Sequence, residues 1–126
     1  MKGAYFLCEA MQSKMKKGSN VQFFSDVLID KMPTARLPYS IAKAGLTPLV
    51  KILARNWAPD IRVNEIRFGY ELLPDKVSEK LKKKWLKEIP MKRYGGIEGA
   101  VAASEFLTKE SYITGTQLDV DGGLSL

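Results

Sequence analysis

Pro38-Tyr39-Ser40-Ile41-Ala42-Lys43-Ala44-Gly45-Leu46 and, further on, Ala58-Pro59-Asp60-Ile61-Arg62-Val63-Asn64-Glu65-Ile66 place a helix directly before a strand. The helical pattern covers residues 38–57, opened by proline in its first turn and closed by Ala58-Pro59-Asp60. Pro48 lies inside it, so a kink is expected: proline removes one backbone hydrogen bond and its ring presses on the preceding turn. Residues 61–66 read as a strand. Upstream, Tyr5, Leu7, Cys8, Met11 and Met15 keep a helical period over residues 4–16, and Lys16-Lys17-Gly18 ends it. Val21-Gln22-Phe23-Phe24-Ser25 is a short, β-rich buried strand, and residues 27–37, with Pro33 and no clean period, read as a loop. Downstream come a second post-strand loop over 67–74, a helix over 75–88, a turn over 90–96, and a helix over 97–107. A third strand, Gln117-Leu118-Asp119-Val120, ends at Asp121-Gly122-Gly123. Helices alternating with strands imply parallel pairing by right-handed crossovers, so the class is α/β. Loops past the C-terminal ends of such strands are where this class places its chemistry.

The 126 residues suffice for one domain with its own core, and the composition, 45% hydrophobic and 27% charged, is that of an ordinary globular chain. No apolar run reaches the roughly 18 residues of a membrane span, and no long apolar core opens the chain, so the expectation is a cytoplasmic protein without membrane contact. With one cysteine, Cys8, and no histidine, neither an internal disulfide nor a zinc site is expected. Proton transfer then falls to Tyr, Lys, Asp, Glu or Ser. The net charge of +6 raises nucleic acid as a partner, but much of the excess sits in Lys80-Leu81-Lys82-Lys83-Lys84-Trp85-Leu86-Lys87. Val77, Leu81 and Trp85 form one stripe there, which makes a solvated basic helix face and argues against nucleic acid. Tyr5, Trp57 and Phe106 read as packing residues, and Cys8 as a small core or interface residue.

Tyr39 and Lys43 are four apart near a helix start, so they share a face and their functional ends can converge. An ammonium beside a phenol favours the phenolate and lowers a pKa otherwise near ~10. Such a pair suits reduction of a carbonyl or imine, where hydride arriving at carbon must be matched by a proton at oxygen or nitrogen. Tyr-x-x-x-Lys also occurs as a plain exposed pair on many helices.

The setting of the pair decides between the two. Tyr39-Ser40-Ile41-Ala42-Lys43-Ala44-Gly45-Leu46, Leu53-Ala54-Arg55, and Ala58-Pro59-Asp60-Ile61-Arg62-Val63-Asn64 strongly resemble the short-chain dehydrogenase/reductase family. Pro90 to Glu98, Phe106-Leu107, and Tyr112-Ile113-Thr114-Gly115 through Val120-Asp121-Gly122-Gly123 look like its C-terminal signature, in order. The resemblance covers essentially the whole chain. It implies the C-terminal, catalytic half of a Rossmann-type doubly wound parallel sheet, three strands with crossover helices, as a single partial domain over residues 1–126 with the N-terminal half absent.

By that resemblance Tyr39 is the proton donor, and Lys43 lowers its pKa and hydrogen-bonds the nicotinamide ribose. The family's serine, thirteen residues before the tyrosine, is here Asp26, with Ser25 one residue earlier. Aspartate at that position is similar to the pteridine reductase-like members, as are Leu37-Pro38-Tyr39 and Leu72-Leu73-Pro74-Asp75. The resemblance therefore implies an NAD(P)H-dependent oxidoreductase acting on a carbonyl or pterin-type C=N small molecule, with Asp26, Tyr39, Lys43 and Ser25 as catalytic candidates. Read from the residues alone, Asp26 can instead be an Asx-type turn residue, with Ser25 as the working hydroxyl. Cofactor contact is expected from Tyr39, Lys43, Phe68 and Gly69, Phe68 replacing the proline of a family Pro-Gly. Tyr70, Leu72 and Leu73 are expected on the substrate loop. Phe68 or Tyr70 can stack on a flat heterocycle or cover the core.

The cofactor is NADP or NAD, with NADP favoured; the Gly-rich turn that holds its pyrophosphate, and the residues selecting between the two, have no counterpart in this sequence. Met1-Lys2-Gly3 fits the end of a family Asn-x-Lys-Gly segment, so the expectation is that Met1 corresponds to an internal methionine of a longer reductase. An exposed strand edge and the helices near 4–16 and 38–56, which correspond to the family's usual dimer interface, imply a homo-oligomer. The alternative function is a truncated, catalytically inactive fragment that acts only as a self-associating module.

Overall fold

Three parallel strands form the sheet in the computed structural model, which describes residues 2–31, 36–73 and 76–126. They are β1 (Ser19–Asp26), β2 (Ile61–Phe68) and β3 (Gln117–Val120), in the order β1-β2-β3. Ser19 pairs with Ile61 and Asp26 with Phe68, while Glu65 pairs with Gln117 and Phe68 with Val120. The first two strands each reach beyond the expected segments, so Asp26 is the last residue of β1 rather than a loop residue. β1 lies at one edge of the sheet.

The helices are α1 (Lys2–Gln12), α2 (Leu37–Ala44), α3 (Leu46–Trp57), α4 (Glu79–Glu88) and α5 (Ile97–Lys109). The single kinked helix expected over 38–57 is two helices meeting at Gly45. Pro48 occupies the third position of α3, and a proline ring clashes with the carbonyl four residues back, here Ala44, where α2 stops. Part of the expected 27–37 loop is a 3-10 helix, Val27–Lys31. α1 ends earlier than residue 16. α4 starts later than residue 75, because Ser78 caps it, its side chain accepting from Leu81 N. Met1, Pro33, Pro74 and Asp75 lie outside the described residues.

Side chains alternate along β2, so successive residues face different layers. On one face Val63 and Ile61 join Phe23 of β1 and meet Leu46, Val50, Leu53, Ala54 and Trp57 of α3, with Cys8 of α1. On the other, Ile66 meets Ala103 and Leu107 of α5. At roughly 1.5–3 kcal/mol per fully buried large apolar side chain, the α3 face is the main anchor of the sheet. Trp57 packs as expected, but Tyr5 and Phe106 do not: they are 41% and 50% exposed.

The Ile-Arg-Val-Asn stretch fastens the C-terminal signature to β2. Arg62 donates to the Leu107, Thr108 and Ile113 carbonyls, capping the end of α5. Asn64, fully buried, donates to Ile113 O and accepts from Thr116 N. Val63 N donates to Thr114 Oγ1, and Gly115 N to Val63 O. Arg62, Val63 and Asn64 are thereby each placed by partners some fifty positions away.

Candidate active site

Asp26 closes β1 and starts the 3-10 turn. Its Oδ1 accepts from Leu28 N at 2.7 Å, which is the Asx-type turn bond, and its Oδ2 accepts from Tyr39 Oη at 3.0 Å. The turn bond and the Tyr39 contact therefore use the two different oxygens of one carboxylate. The turn is held down by Val27 and Ile29, both buried, Val27 against Ile89 and Leu124.

Tyr39 sits in the first turn of α2 with its hydroxyl over the strand end. Burial first, then the hydrogen bond and negative charge of Asp26, push its phenol above the ordinary value of 10.0, against an opposing pull from Arg36. This corrects the expectation of a lowered pKa. The Lys43 ammonium stands 6.0 Å from the Tyr39 ring centre and donates to Phe24 O at 2.7 Å, so the pair does converge, while burial first and the Asp26 carboxylate second set the direction. A raised value keeps the hydroxyl protonated at neutral pH, the form that can give a proton away.

Ser25 is drawn to a different place. As the neighbour of Asp26 on a strand it faces the other layer, and its Oγ donates to Glu65 Oε1 at 2.5 Å. Glu65 is fully buried and also accepts from Thr47 Oγ1 at 2.9 Å, while Gln117 Nε2 donates to Thr47 at 3.0 Å. The structure thus brings Asp26, Tyr39 and Lys43 together and gives Ser25 to a buried polar network.

A cleft of about 400 Å³ opens beside the Asp26–Tyr39 bond, walled by Ser40, Gly69, Tyr70, Leu72 and Trp85 with Arg36 and Glu88. Tyr70 stacks on Trp85, ring centres 5.0 Å apart and planes 19° apart. Its phenol is also pushed up, by burial and then by Glu88 and Asp26. Gly69 lines this cleft, but its N–H donates to Val120 O at 3.0 Å, and a Cβ there would lie 2.8 Å from Asp121 Cα. Close approach of two backbones is what requires glycine here. Phe68 turns from the cleft, edge-on to Phe24 with centres 5.4 Å apart, and packs on the α5 side of the sheet. Leu73 is half-buried and outside the cleft wall.

Reading the sequence did not bring out Glu65, Arg36, Ser40 or a wall role for Trp85. Glu65 carried a usable signal, a carboxylate inside a strand whose neighbours Val63 and Ile66 are apolar. Ser40 Oγ is buried and without a partner among the described residues.

A family model described as enoyl-(acyl carrier protein) reductase matches residues 1–125. The chain belongs to the short-chain dehydrogenase/reductase family. It is 36% identical to glucose 1-dehydrogenase 2 of Bacillus subtilis, covering 98% of this chain and 52% of that protein. It is 35% identical to the 3-oxoacyl-[acyl-carrier-protein] reductase FabG of Chlamydia muridarum, covering 96% and 52%. Among solved structures it is similar to a small-chain dehydrogenase in complex with NADPH, with a TM-score of 0.86 and 26% identity over 99% of this chain and 59% of that one. The chain therefore spans about half the length of the curated relatives it matches.

Membership implies a nicotinamide dinucleotide, and the donor set at Tyr39 and Lys43 fits its nicotinamide-ribose end. An ammonium has three N–H donors, and among the described residues only Phe24 O takes one of those on Lys43, leaving two for hydroxyls beside a phenol that borders an open cleft. Among the described residues no helix is long and apolar enough to cross a membrane.

Proposed function

We propose that this chain forms the substrate-side half of an NAD(P)H-dependent reductase, with Tyr39 as proton donor to a carbonyl or a pterin-type C=N group. The Tyr39–Asp26 hydrogen bond at the cleft wall carries this reading. The cofactor, when bound, supplies the hydride. Tyr39 Oη gives its proton to the substrate oxygen or nitrogen, and the phenolate left behind regains one from water past the Asp26 carboxyl. Lys43, anchored on Phe24 O, offers its remaining donors to the cofactor ribose and its charge to that phenolate. The stacked Tyr70–Trp85 pair supports a flat substrate, since aromatic faces favour offset stacking on planar rings. NADP is the preferred cofactor in this reading.

The test is turnover by the reductase that contains this half. Tyr39→Phe should remove it while cofactor binding, followed by NADPH fluorescence, survives; normal turnover by that variant would defeat the proposal. A second reading, a self-associating module without catalysis, is favoured by the apolar side chains that α1 and α2 expose. Saturable NADPH binding by the 126-residue chain alone would count against it.

A further inference from the structure

Arg67 stands one residue before the end of β2, in register between Ser25 of β1 and Asp119 of β3. Its side chain is only 13% exposed. Nε donates to Asp119 Oδ1 at 2.7 Å and Nη2 to Asp119 Oδ2 at 2.6 Å, a fork-to-fork pair that fixes the plane of the guanidinium. Nη1 is thereby aimed at Asp30 Oδ2, 2.8 Å away in the 3-10 turn that follows Asp26. The turn has two kinds of fastening. Val27 and Ile29 bury apolar surface, which holds it down without giving it a direction. The Asp30–Arg67–Asp119 bridge is directional and joins its far end to two strands.

We propose that Arg67 is a positioning residue, which ties Asp30 to Asp119 and so holds the turn whose Leu28 N–H orients the Asp26 carboxylate toward Tyr39. This rests on the reading of Asp26 and Tyr39 as the proton-carrying pair. A bridge of this kind needs arginine: lysine is a single point of charge and cannot hold a carboxylate plane and a second partner at a set angle.

Direct charge and positioning act on Tyr39 in opposite senses, so the sign of one shift separates them. Deleting a cation by itself disfavours the phenolate and raises the Tyr39 pKa. Releasing Asp26 removes one of the causes that raise it. The measurement is a near-ultraviolet tyrosinate titration of the 126-residue chain, differenced against Tyr39→Phe. Arg67→Met should move the Tyr39 midpoint down, in the same sense as Asp26→Asn does. The double variant should move it no further. Arg67→Lys, which keeps the charge and loses the fork, should lower it as well, and it carries the test if Arg67→Met does not fold. An unchanged or raised midpoint in a folded Arg67 variant would overturn the proposal, and so would additive shifts in the double variant. The titration needs no turnover, so a parent enzyme that proved to use another proton donor would leave this result standing on its own.

Discussion

Tyr39 donates its hydroxyl to Asp26 Oδ2 at 3.0 Å, across thirteen residues of chain, while the other oxygen of the same carboxylate holds Leu28 N at 2.7 Å. The acceptor is thus pinned on one side and free to serve the phenol on the other. Because burial and Asp26 raise the phenol above 10.0, the folded chain keeps this proton to higher pH than the unfolded chain does. The stabilisation is fully present below the unfolded value and lost as pH rises through the folded one. Urea unfolding of the chain at several pH values above ~9 should therefore show wild type losing stability more steeply than Tyr39→Phe. Parallel pH curves for the two would contradict the assignment.

Ser25 and Glu65 make the opposite kind of pair, shut inside the sheet with Thr47. Removing a donor from a buried carboxylate leaves it partly unsatisfied, at a cost of about 1–3 kcal/mol. Ser25→Ala should lower the urea midpoint accordingly, leave the Tyr39 titration in place, and reduce turnover of the parent enzyme far less than Asp26→Ala does. A Ser25→Ala protein of unchanged stability and no activity would return the catalytic hydroxyl to Ser25.

Gly69 and Asp121 pack backbone to backbone at the ends of β2 and β3. A Cβ at residue 69 would meet Asp121 Cα at 2.8 Å and its carbonyl oxygen at 3.1 Å, neither of which can rotate away. Gly69→Ala should cost about 1–3 kcal/mol by forcing the strand ends apart, read as a lower melting temperature. If the melting temperature held, the close approach would not be a packing requirement.

The α/β alternation and the three strands were legible because apolar periodicity survives in a single sequence, and Tyr39 with Lys43 because helix spacing alone makes them neighbours. Legibility failed where the deciding partner was distant. The break at Gly45 needed the clash of Pro48 with Ala44 to be weighed against the cost of a continuous helix, and Ser25 could not be sent to Glu65 without knowing that β1 and β2 pair in register. Tyr39 shows the same limit in electrostatics. Its near neighbour Lys43 points to a lowered pKa, while burial, and then a carboxylate that arrives through the end of another element, raise it. Tyr5 lies on the helical period of the first helix and Phe106 within the C-terminal signature, yet both are exposed.

Their exposure belongs to a wider pattern. α1 shows Phe6, Leu7 and Met11 to solvent, Leu7 at 64% exposure, and α2 shows Leu37 and Ile41, the latter at 62%. Each of these helices also gives residues to the protein's own structure, Cys8 to the α3 cluster and Tyr39 to the cleft, so their outward apolar faces are additional to what folding requires. Exposed apolar side chains on two helices favour association, and we propose that a second copy covers them. In a two-fold arrangement one substitution is felt twice, which makes single charges effective probes. Light scattering of the chain should show a mass that rises with concentration toward a dimer, and Leu7→Lys or Ile41→Lys should return it to the monomer value with circular dichroism unchanged. A wild-type chain that stays monomeric at every concentration would refute self-association through these helices.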